Sequence, residues 1–124
     1  MNLRLLDGGF AICRLDPADT WTPRGGFWSV TRTASELSVV CEEAYAAGKV
    51  ESGWRMLEVE GPLAFEMTGV LSSIASPLAA AGVSIFVVST FDTDYVLVKE
   101  AALAAGLDAL QAAGFTWQPQ ESSS

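Results

Sequence analysis

Acidic side chains are the main candidates for chemistry in this chain, because its 124 residues include no histidine. Histidine is the commonest general base and a frequent metal ligand. The carboxylates fall into close pairs at Asp92 and Asp94, Glu58 and Glu60, and Glu42 and Glu43. General acid–base catalysis needs two opposed carboxyl groups with differently perturbed pKa values, which these spacings do not indicate. We expect no catalytic residues, and an enzyme based on Asp92 and Asp94 stays an alternative.

The other residue types that build reactive sites are isolated in the sequence. Cys13 and Cys41 lack the close spacing of a metal or redox pair and are expected to be small apolar residues in strands. Gly8-Gly9 and Gly25-Gly26 match no phosphate-binding motif and are interpreted as turns. We therefore expect neither a metal nor a cofactor.

Two polar positions are candidates for binding a small molecule. Asp94 lies where a turn re-enters a strand, close to Thr90 and Thr93, and could hold an ammonium or guanidinium group. An ordinary Asx turn is the alternative at that position. Ser84 interrupts an apolar strand just after Gly82, where free backbone N–H groups could meet a carboxylate. The alternative for Ser84 is a polar residue at the hydrated start of a strand.

These positions belong to the most strongly patterned stretch of the chain, residues 81–100. Residues 83–91 are rich in β-branched and aromatic side chains, Asp92–Asp94 supply turn chemistry, and Tyr95–Val98 resume the strand composition. This pattern predicts a β-hairpin.

The second half of the chain predicts a complete small domain around that hairpin. A strand over 54–60 precedes a helix that begins at Gly61-Pro62, ends at Gly82 and is kinked or divided at Pro77, with Ser76 as a new cap. A second helix over 101–113 and a last strand over 115–118 follow. The order β-α-β-β-α-β over 54–118 is typical of a ferredoxin-like α+β fold, with one antiparallel sheet and two helices on one face.

The first half is predicted to consist mostly of strands, with at most one helical turn over 16–23 and a short helix over 42–47. Asp7-Gly8-Gly9 is expected to turn a hairpin between strands 3–6 and 10–15, and strands 27–33 and 37–41 form a second hairpin. Residues 42–53 are polar and form the best candidate linker. We predict a strand-rich half over 1–50, a βαββαβ domain over 54–118 and a disordered tail over 119–124.

Charge and composition exclude two classes of partner and indicate a compartment. Fifteen acidic and seven basic residues give a net charge of −8, and the basic residues are scattered, so we expect no nucleic-acid binding. Residues 67–91 carry no charge, but Pro77, several hydroxyl residues and a change of pattern at Gly82 argue against a membrane span. Isolated cysteines and the lack of a secretory leader favour the cytoplasm.

One apolar segment predicts an association. Residues 85–88 are apolar at every position, and such a strand is usually buried on both sides of its sheet. Two helices can cover only one side. Residues 1–50, another copy of the chain, or both are therefore expected to cover the other side.

The segment from Gly82 to Val98 resembles the ACT-domain family, in particular small tandem-ACT proteins and the CASTOR-type arginine sensors. The pattern Ser-Thr-aromatic-x-x-Asp-aromatic-x-Leu-Val is present in order from Ser89 to Val98. The likeness extends over residues 54–118, and residues 27–43 resemble the shorter first half of that group. The resemblance implies an ACT-like domain preceded by a degenerate ACT-like half over 1–50.

The same resemblance implies a function and a set of binding residues. ACT domains are non-catalytic regulatory modules that bind amino acids where domains or subunits meet. The implied ligand residues are Ser84 and Ile85 around a carboxylate, and Asp94 with Thr90 and Phe91 around a positive group. We expect an amino acid, including a basic one, or a similar metabolite to bind at a domain or dimer interface of a homodimer. The alternative is a structural or protein-interaction module whose sheet face dimerises or docks a partner without ligand.

Overall fold

A computed structural model describes residues 1–61 and 69–120 of the chain. The chain forms two compact units. Unit 1 consists of Met1–Asp7 with Arg55–Ser124, and unit 2 of Gly8–Trp54. Residues 1–7 thus group with the second half of the chain, whereas the domain boundaries predicted from the sequence, 1–50 and 54–118, stay a prediction.

Eight strands and two helices make up the described chain. The strands are β1 (Asn2–Leu5), β2 (Phe10–Leu15), β3 (Trp28–Arg32), β4 (Leu37–Glu42), β5 (Lys49–Val59), β6 (Ile85–Ser89), β7 (Asp94–Lys99) and β8 (Thr116–Pro119). The helices are α1 (Val70–Ala80) and α2 (Leu103–Ala112), with single 3-10 turns at Glu43–Tyr45 and Glu100–Ala102. Neither α1 nor α2 has the length and apolar character that crossing a membrane requires.

The strands of unit 1 confirm the α+β architecture and revise its strand order. The strand pairings give the order β6-β7-β5-β1-β8, in which β1 is antiparallel to β5 and parallel to β8. From β5 onward the elements follow the predicted order β-α-β-β-α-β. The prediction of a wholly antiparallel sheet was wrong, because the N-terminal strand lies between the first and last strands of that pattern.

The core of unit 1 joins alternate residues of its strands to both helices. Leucine and valine at every second position of β1, β5 and β7 face the helices, and Met56 and Leu97, which point to the other side, are fully buried as well. Its buried members are Leu3, Leu5, Leu57, Val59, Ile74, Leu78, Val83, Val96, Val98, Leu107 and Leu110. Burial of each such side chain stabilises the fold by about 1.5–3 kcal/mol. We call this side of the sheet the helix-covered face.

Glycines end both helices as predicted. Gly82 has φ +74° and the Val83 N–H donates to Leu78 O at 2.9 Å, which closes α1. Gly114 at φ +99° ends α2 in the same way. Pro77 lies inside α1, so the helix does not divide there with Ser76 as a new cap, and the alternative, a kink at Pro77, stays a prediction. The predicted helix start at Pro62 lies outside the described residues.

Unit 2 is built from strands alone, apart from one 3-10 turn. In it β4 pairs with β3 and β2, and the first part of β5 pairs with β2, all antiparallel. The Trp21 indole N–H donates to Tyr45 O at 2.9 Å while its ring joins the buried core. That core also contains Ala11, Cys13, Leu37, Val39 and Cys41. Both cysteines are free and buried in strands, as predicted.

Two predictions about connections were wrong. The Asp7-Gly8-Gly9 segment does not turn a hairpin, because β1 pairs with residues 57–59 of β5 whereas β2 pairs with residues 49–54. The segment predicted as a linker over 42–53 contains a 3-10 turn at Glu43–Tyr45, where a short helix was allowed, but from Lys49 onward it belongs to β5. Polar residues at the start of β5 hid its strand character from pattern analysis.

The predicted disordered tail begins in an ordered segment. Pro119 is the last residue of β8, and the Gln120 N–H donates to Leu5 O at 2.8 Å. The rest of that tail lies outside the described residues. Strand β6, which was expected to be fully buried, is half-buried from Ile85 to Val88. What covers it stays a prediction.

Candidate functional site

The turn between β6 and β7 is closed by threonine hydrogen bonds. The Thr90 N–H donates to Thr93 O at 2.8 Å, and the Thr90 hydroxyl donates to the same oxygen at 3.1 Å. The Thr93 N–H donates back to Thr90 Oγ1 at 3.3 Å. The four-residue turn is therefore closed by backbone and side-chain bonds together, which restricts its conformation.

Thr93 also ties this turn to the neighbouring strand. Its side chain is buried, and its hydroxyl donates to Val59 O at the end of β5 at 2.6 Å. A buried hydroxyl that lost this acceptor would cost about 1–3 kcal/mol. The bond fixes the position of the turn relative to the sheet of unit 1.

Asp94 leaves the turn with its carboxylate oriented. It lies opposite Ser89 in the β6–β7 register, and the Ser89 hydroxyl donates to Asp94 Oδ1 at 2.6 Å. The side chain therefore bonds across the hairpin rather than to its own turn, as an Asx turn would require. Within the described chain, Asp94 Oδ2 accepts no hydrogen bond. Phe91, in the same turn, is 78% exposed.

Ser84 and Ile85 lie at the other end of β6. Ile85 pairs with Val98 at the start of the strand, and Ser84 is exposed just before it. Ser89 lies four positions after Ile85 along the strand, a span of roughly 13 Å. The structure thus brings Thr90, Phe91 and Asp94 together and leaves Ser84 and Ile85 apart from them. The ligand role of all five residues stays a prediction.

A second polar group, formed by Arg4, Glu58 and Tyr95, was missed by sequence reasoning. Arg4 and Glu58 are opposite residues of β1 and β5, and Arg4 Nε donates to Glu58 Oε1 at 3.0 Å. Arg4 Nη2 forms a short ion pair with the same oxygen. The Tyr95 hydroxyl donates to Glu58 Oε2 at 2.9 Å, so both carboxylate oxygens have donors. We call these three residues the Arg4 cluster.

The electrostatics of the Arg4 cluster follow from these contacts. The hydrogen bond and charge of Glu58 raise the pKa of Arg4. Burial, followed by the hydrogen bond and negative charge of Glu58, raises the pKa of Tyr95. Arg4 stays cationic and Tyr95 stays a protonated hydrogen-bond donor near neutral pH.

The Arg4 cluster borders a cavity of about 230 Å³. Its lining comes from β1, the end of β5 and the β6–β7 turn, and consists of Arg4, Glu58, Val59, Gly61, Asp92, Thr93 and Tyr95. Among residues 1–61 and 69–120, no group of three acidic, cysteine or histidine side chains is placed to hold a metal ion. The chemistry of the cavity is that of hydrogen bonds and fixed charges.

Each pair of glycines in unit 2 lies next to the carboxylate of a glutamate from the same unit. The Gly26 N–H donates to Glu42 Oε2 at 2.6 Å. A Cβ added to Gly9 would lie 1.9 Å from Glu43 Oε1, so the Glu43 carboxylate packs directly against the backbone at this glycine. These segments are loops in which carboxylates approach the backbone closely.

Family models match both parts of the chain. The model described as an ACT domain matches residues 49–112, more than half of the chain. A second model, described as an N-terminal domain, matches residues 8–47. The boundary between the two matches lies close to the start of β5.

Cytosolic arginine sensors of mammals match the second half of this chain in sequence. The human cytosolic arginine sensor for mTORC1 subunit 1 is 42% identical over 59 residues, which is 47% of this chain and 18% of the sensor. The Rattus norvegicus sensor is 44% identical over 59 residues, again 47% of this chain and 18% of the sensor. The match thus spans less than one fifth of the sensor's own length.

Solved structures match over most of the chain. A crystal structure of an Agrobacterium tumefaciens protein has a TM-score of 0.89 and 38% identity, covering 99% of this chain and 96% of that one. A Vibrio cholerae protein described as a possible transport protein matches at 0.69 with 22% identity over 90% and 88% of the two chains. The allosteric aspartate kinase of Clostridium acetobutylicum matches at 0.65 with 12% identity over 86% of this chain and 33% of the enzyme. The last two likenesses concern the fold alone. With more than half of its residues matched by the family model, the chain belongs to the ACT-domain family.

Proposed function

We propose that this chain is a non-catalytic regulatory module of the cytoplasm that binds an amino acid or a similar small metabolite where two copies of the chain meet. Ligand that contacts both copies favours one association over another, and this difference in affinity is the regulatory signal.

The observation that carries the proposal is the Asp94 carboxylate. One of its oxygens is oriented by the Ser89 hydroxyl, and the turn beside it is anchored to β5 by Thr93. A carboxylate held in this way is prepared to accept a charge-assisted hydrogen bond from an ammonium or guanidinium group. The exposed ring of Phe91 adds an apolar or cation–π surface next to it.

The separation of the predicted residues supports a site shared by two copies. Ser84 and Ile85 lie roughly 13 Å of strand away from Ser89, more than the backbone of one amino acid spans. A second copy that brings its own Ser84 and Ile85 to the Asp94 turn would complete the site. The similarity to a named arginine sensor favours an amino-acid ligand for this turn.

A thermal-shift screen of the full chain against the twenty amino acids tests the proposal. Saturable stabilisation by one or a few of them is expected, and Asp94→Asn should abolish it while retaining an acceptor for Ser89. Asp108→Asn, on an exposed position of α2, is the matched control and should bind as wild type does. Binding that survives Asp94→Asn unchanged would contradict the role of Asp94.

The second candidate function is a protein-interaction module without ligand. It is favoured by exposed aromatic and aliphatic side chains, since Phe91 is 78% and Trp28 46% exposed. A flat response to every amino acid, together with a mass that rises with concentration in light scattering, would replace the ligand proposal with this one.

A further inference from the structure

Strand β3 lies at the edge of unit 2. Within the part of the chain that the structure describes, it pairs with β4 and with no other strand. Four of its five residues are exposed, including Trp28 at 46% and Val30 at 38%. An unpaired strand edge offers a row of backbone donors and acceptors to another strand.

The strand lacks the features by which edge strands usually avoid such pairing. Its register with β4 runs from Trp28 to Arg32 without a bulge, and it contains neither proline nor lysine. Residues 20–35 include no acidic side chain, although the chain has fifteen and a net charge of −8. By contrast, the edge strand β8 is one residue shorter and ends in Pro119. Of these two edges, β3 is the one open to pairing.

The backbone groups of β3 that point away from β4 belong to alternate residues. The Thr33 N–H donates to Glu36 O at 2.9 Å and closes the β3–β4 hairpin, and the Phe27 N–H also points to β4, where it donates to Glu42 Oε2 at 3.4 Å. Hydrogen-bonded and non-hydrogen-bonded pairs alternate along an antiparallel ladder. Counting back from Thr33, every second residue therefore bonds to β4, and the residues between them direct N–H and C=O outward. These outward residues are Trp28, Val30 and Arg32.

The side chains of the three outward residues lie on one side of the sheet. They are opposite three members of the buried core of unit 2, Leu37, Val39 and Cys41. Directly opposite residues of paired strands share a side of the sheet. The Trp28 ring lies beside that of buried Trp21, with centroids 6.2 Å apart, and Arg32 Nη2 donates to Asp19 O at 3.0 Å. The edge therefore extends the core with an ordered aromatic ring and an ordered cation.

We propose that β3 pairs in antiparallel fashion with β3 of a second copy of the chain, about a two-fold axis at Val30. The outward N–H and C=O groups of Val30 then bond to the same groups of the other copy. Trp28 of each copy lies opposite Arg32 of the other, which brings a guanidinium to an indole ring. On the other side of the sheet Ser29 lies opposite Thr31, a favourable hydroxyl pair.

The complementarity of β3 to itself is the reason to assign a second copy as the partner. About this axis an aromatic ring meets a cation at both ends and an aliphatic side chain meets its own kind at the centre. The two Arg32 side chains lie at opposite ends of the pair, roughly 13 Å apart along the strands, so like charges do not meet. A closed two-fold contact of this type is the commonest form of self-association.

The contact is small, so the association should be reversible and depend on concentration. A pair of five-residue strands buries less than the roughly 1,200 Å² at the lower end of stable interfaces. It lies in unit 2 and uses no residue of the Asp94 turn. The proposal therefore stands without the proposed function.

Amide NMR of the full chain over a dilution series tests the contact. With rising concentration the amide signals of the three outward residues should shift saturably, and their exchange with deuterium should slow. The amides of Ser29 and Thr31, which bond to β4, should exchange slowly at every concentration. A wild-type chain that remains monomeric in sedimentation across the series, or that associates without shifts in β3, would overturn the proposal.

Variants at the two-fold axis provide the decisive comparison, because position 30 would face itself there. Val30→Lys and Val30→Glu each place two like charges together and should weaken association about tenfold or more in sedimentation. An equimolar mixture of the two variants should associate again, since opposite charges then meet. Ala34→Lys, in the exposed turn of the same hairpin, is the matched control and should associate as wild type does.

Two results with these variants would contradict the proposal. Undiminished association of Val30→Lys would place the contact between copies elsewhere on the chain. Failure of the mixture to associate would exclude a two-fold axis at Val30 and leave β3 to a strand of a different protein.

Discussion

The two units hold their acidic side chains in different ways. In unit 2, Glu42 accepts hydrogen bonds from the backbone of Gly26 and Phe27, and Glu43 from the backbone of Gly53. In unit 1, Glu58 and Asp94 accept theirs from the side chains of Arg4, Tyr95 and Ser89.

This difference indicates where a ligand can compete. Backbone donors are fixed by the fold, so a carboxylate that binds them is part of the loop structure. Hydroxyl and guanidinium donors can rotate and exchange partners without any change in the backbone. Unit 1 is therefore the part of the chain in which a small charged molecule can replace an internal contact.

The largest expected effects come from the cores, where the two units should behave alike. Leu78→Ala in unit 1 and Leu37→Ala in unit 2 each truncate a leucine that is at most 1% exposed. Each should lower the free energy of unfolding by about 2–5 kcal/mol, measured by urea denaturation. A cost well below that range for Leu37→Ala alone would mean that the core of unit 2 is loosely packed, and the comparison of the units would then fail.

A smaller effect is expected from the thiol of unit 2. Burial, reinforced by neighbouring Cys13, raises the pKa of Cys41 to about 12. The unfolded chain loses this proton near pH 9, so folding stability should fall as pH rises from about 9 towards 12. Urea denaturation at several pH values measures the slope. In Cys41→Ala the free energy of unfolding should fall less steeply with pH, and an identical dependence on pH would contradict the effect. Tyr95, whose pKa is also raised, contributes equally to both proteins.

The smallest effects separate the two kinds of carboxylate. Glu42→Ala removes an acceptor for two backbone amides and should cost about 1–2 kcal/mol. Tyr95→Phe should cost about 0.5 kcal/mol, because Glu58 keeps its bond to Arg4. Thermal denaturation of both variants provides the measurement. A larger loss for Tyr95→Phe than for Glu42→Ala would reverse the comparison.

The sequence predicted correctly those elements that depend on interactions between residues close together in the chain. The strand from Phe10 to Leu15, the β3–β4 and β6–β7 hairpins and the stops at Gly82 and Gly114 all rest on turn chemistry or periodicity within a few residues. The α+β class followed from the order of those elements. Pro77 does not divide α1, because its missing N–H costs one bond, which the packing of Ile74 and Leu78 outweighs.

Pairing between distant residues could not be predicted in the same way. Nothing near Leu3 specifies that β1 lies between β5 and β8, because that choice is made by residues more than fifty positions away. The Arg4 cluster depends on the same long-range register. Asp94 could be singled out as a candidate from its local turn, whereas the pairing of Arg4 with Glu58 became visible only in the structure.

The position of β1 has a consequence for synthesis. In the described chain β1 is the first strand to be translated and β8 is the last, yet they are direct neighbours in unit 1. One edge of β1 therefore stays open until Thr116–Pro119 has left the ribosome. Unit 2 is complete much earlier, once Trp54 has emerged. While the residues between β1 and β8 are made, the nascent chain carries an exposed, partly apolar strand edge, and in this interval it is most open to mispairing or to a chaperone.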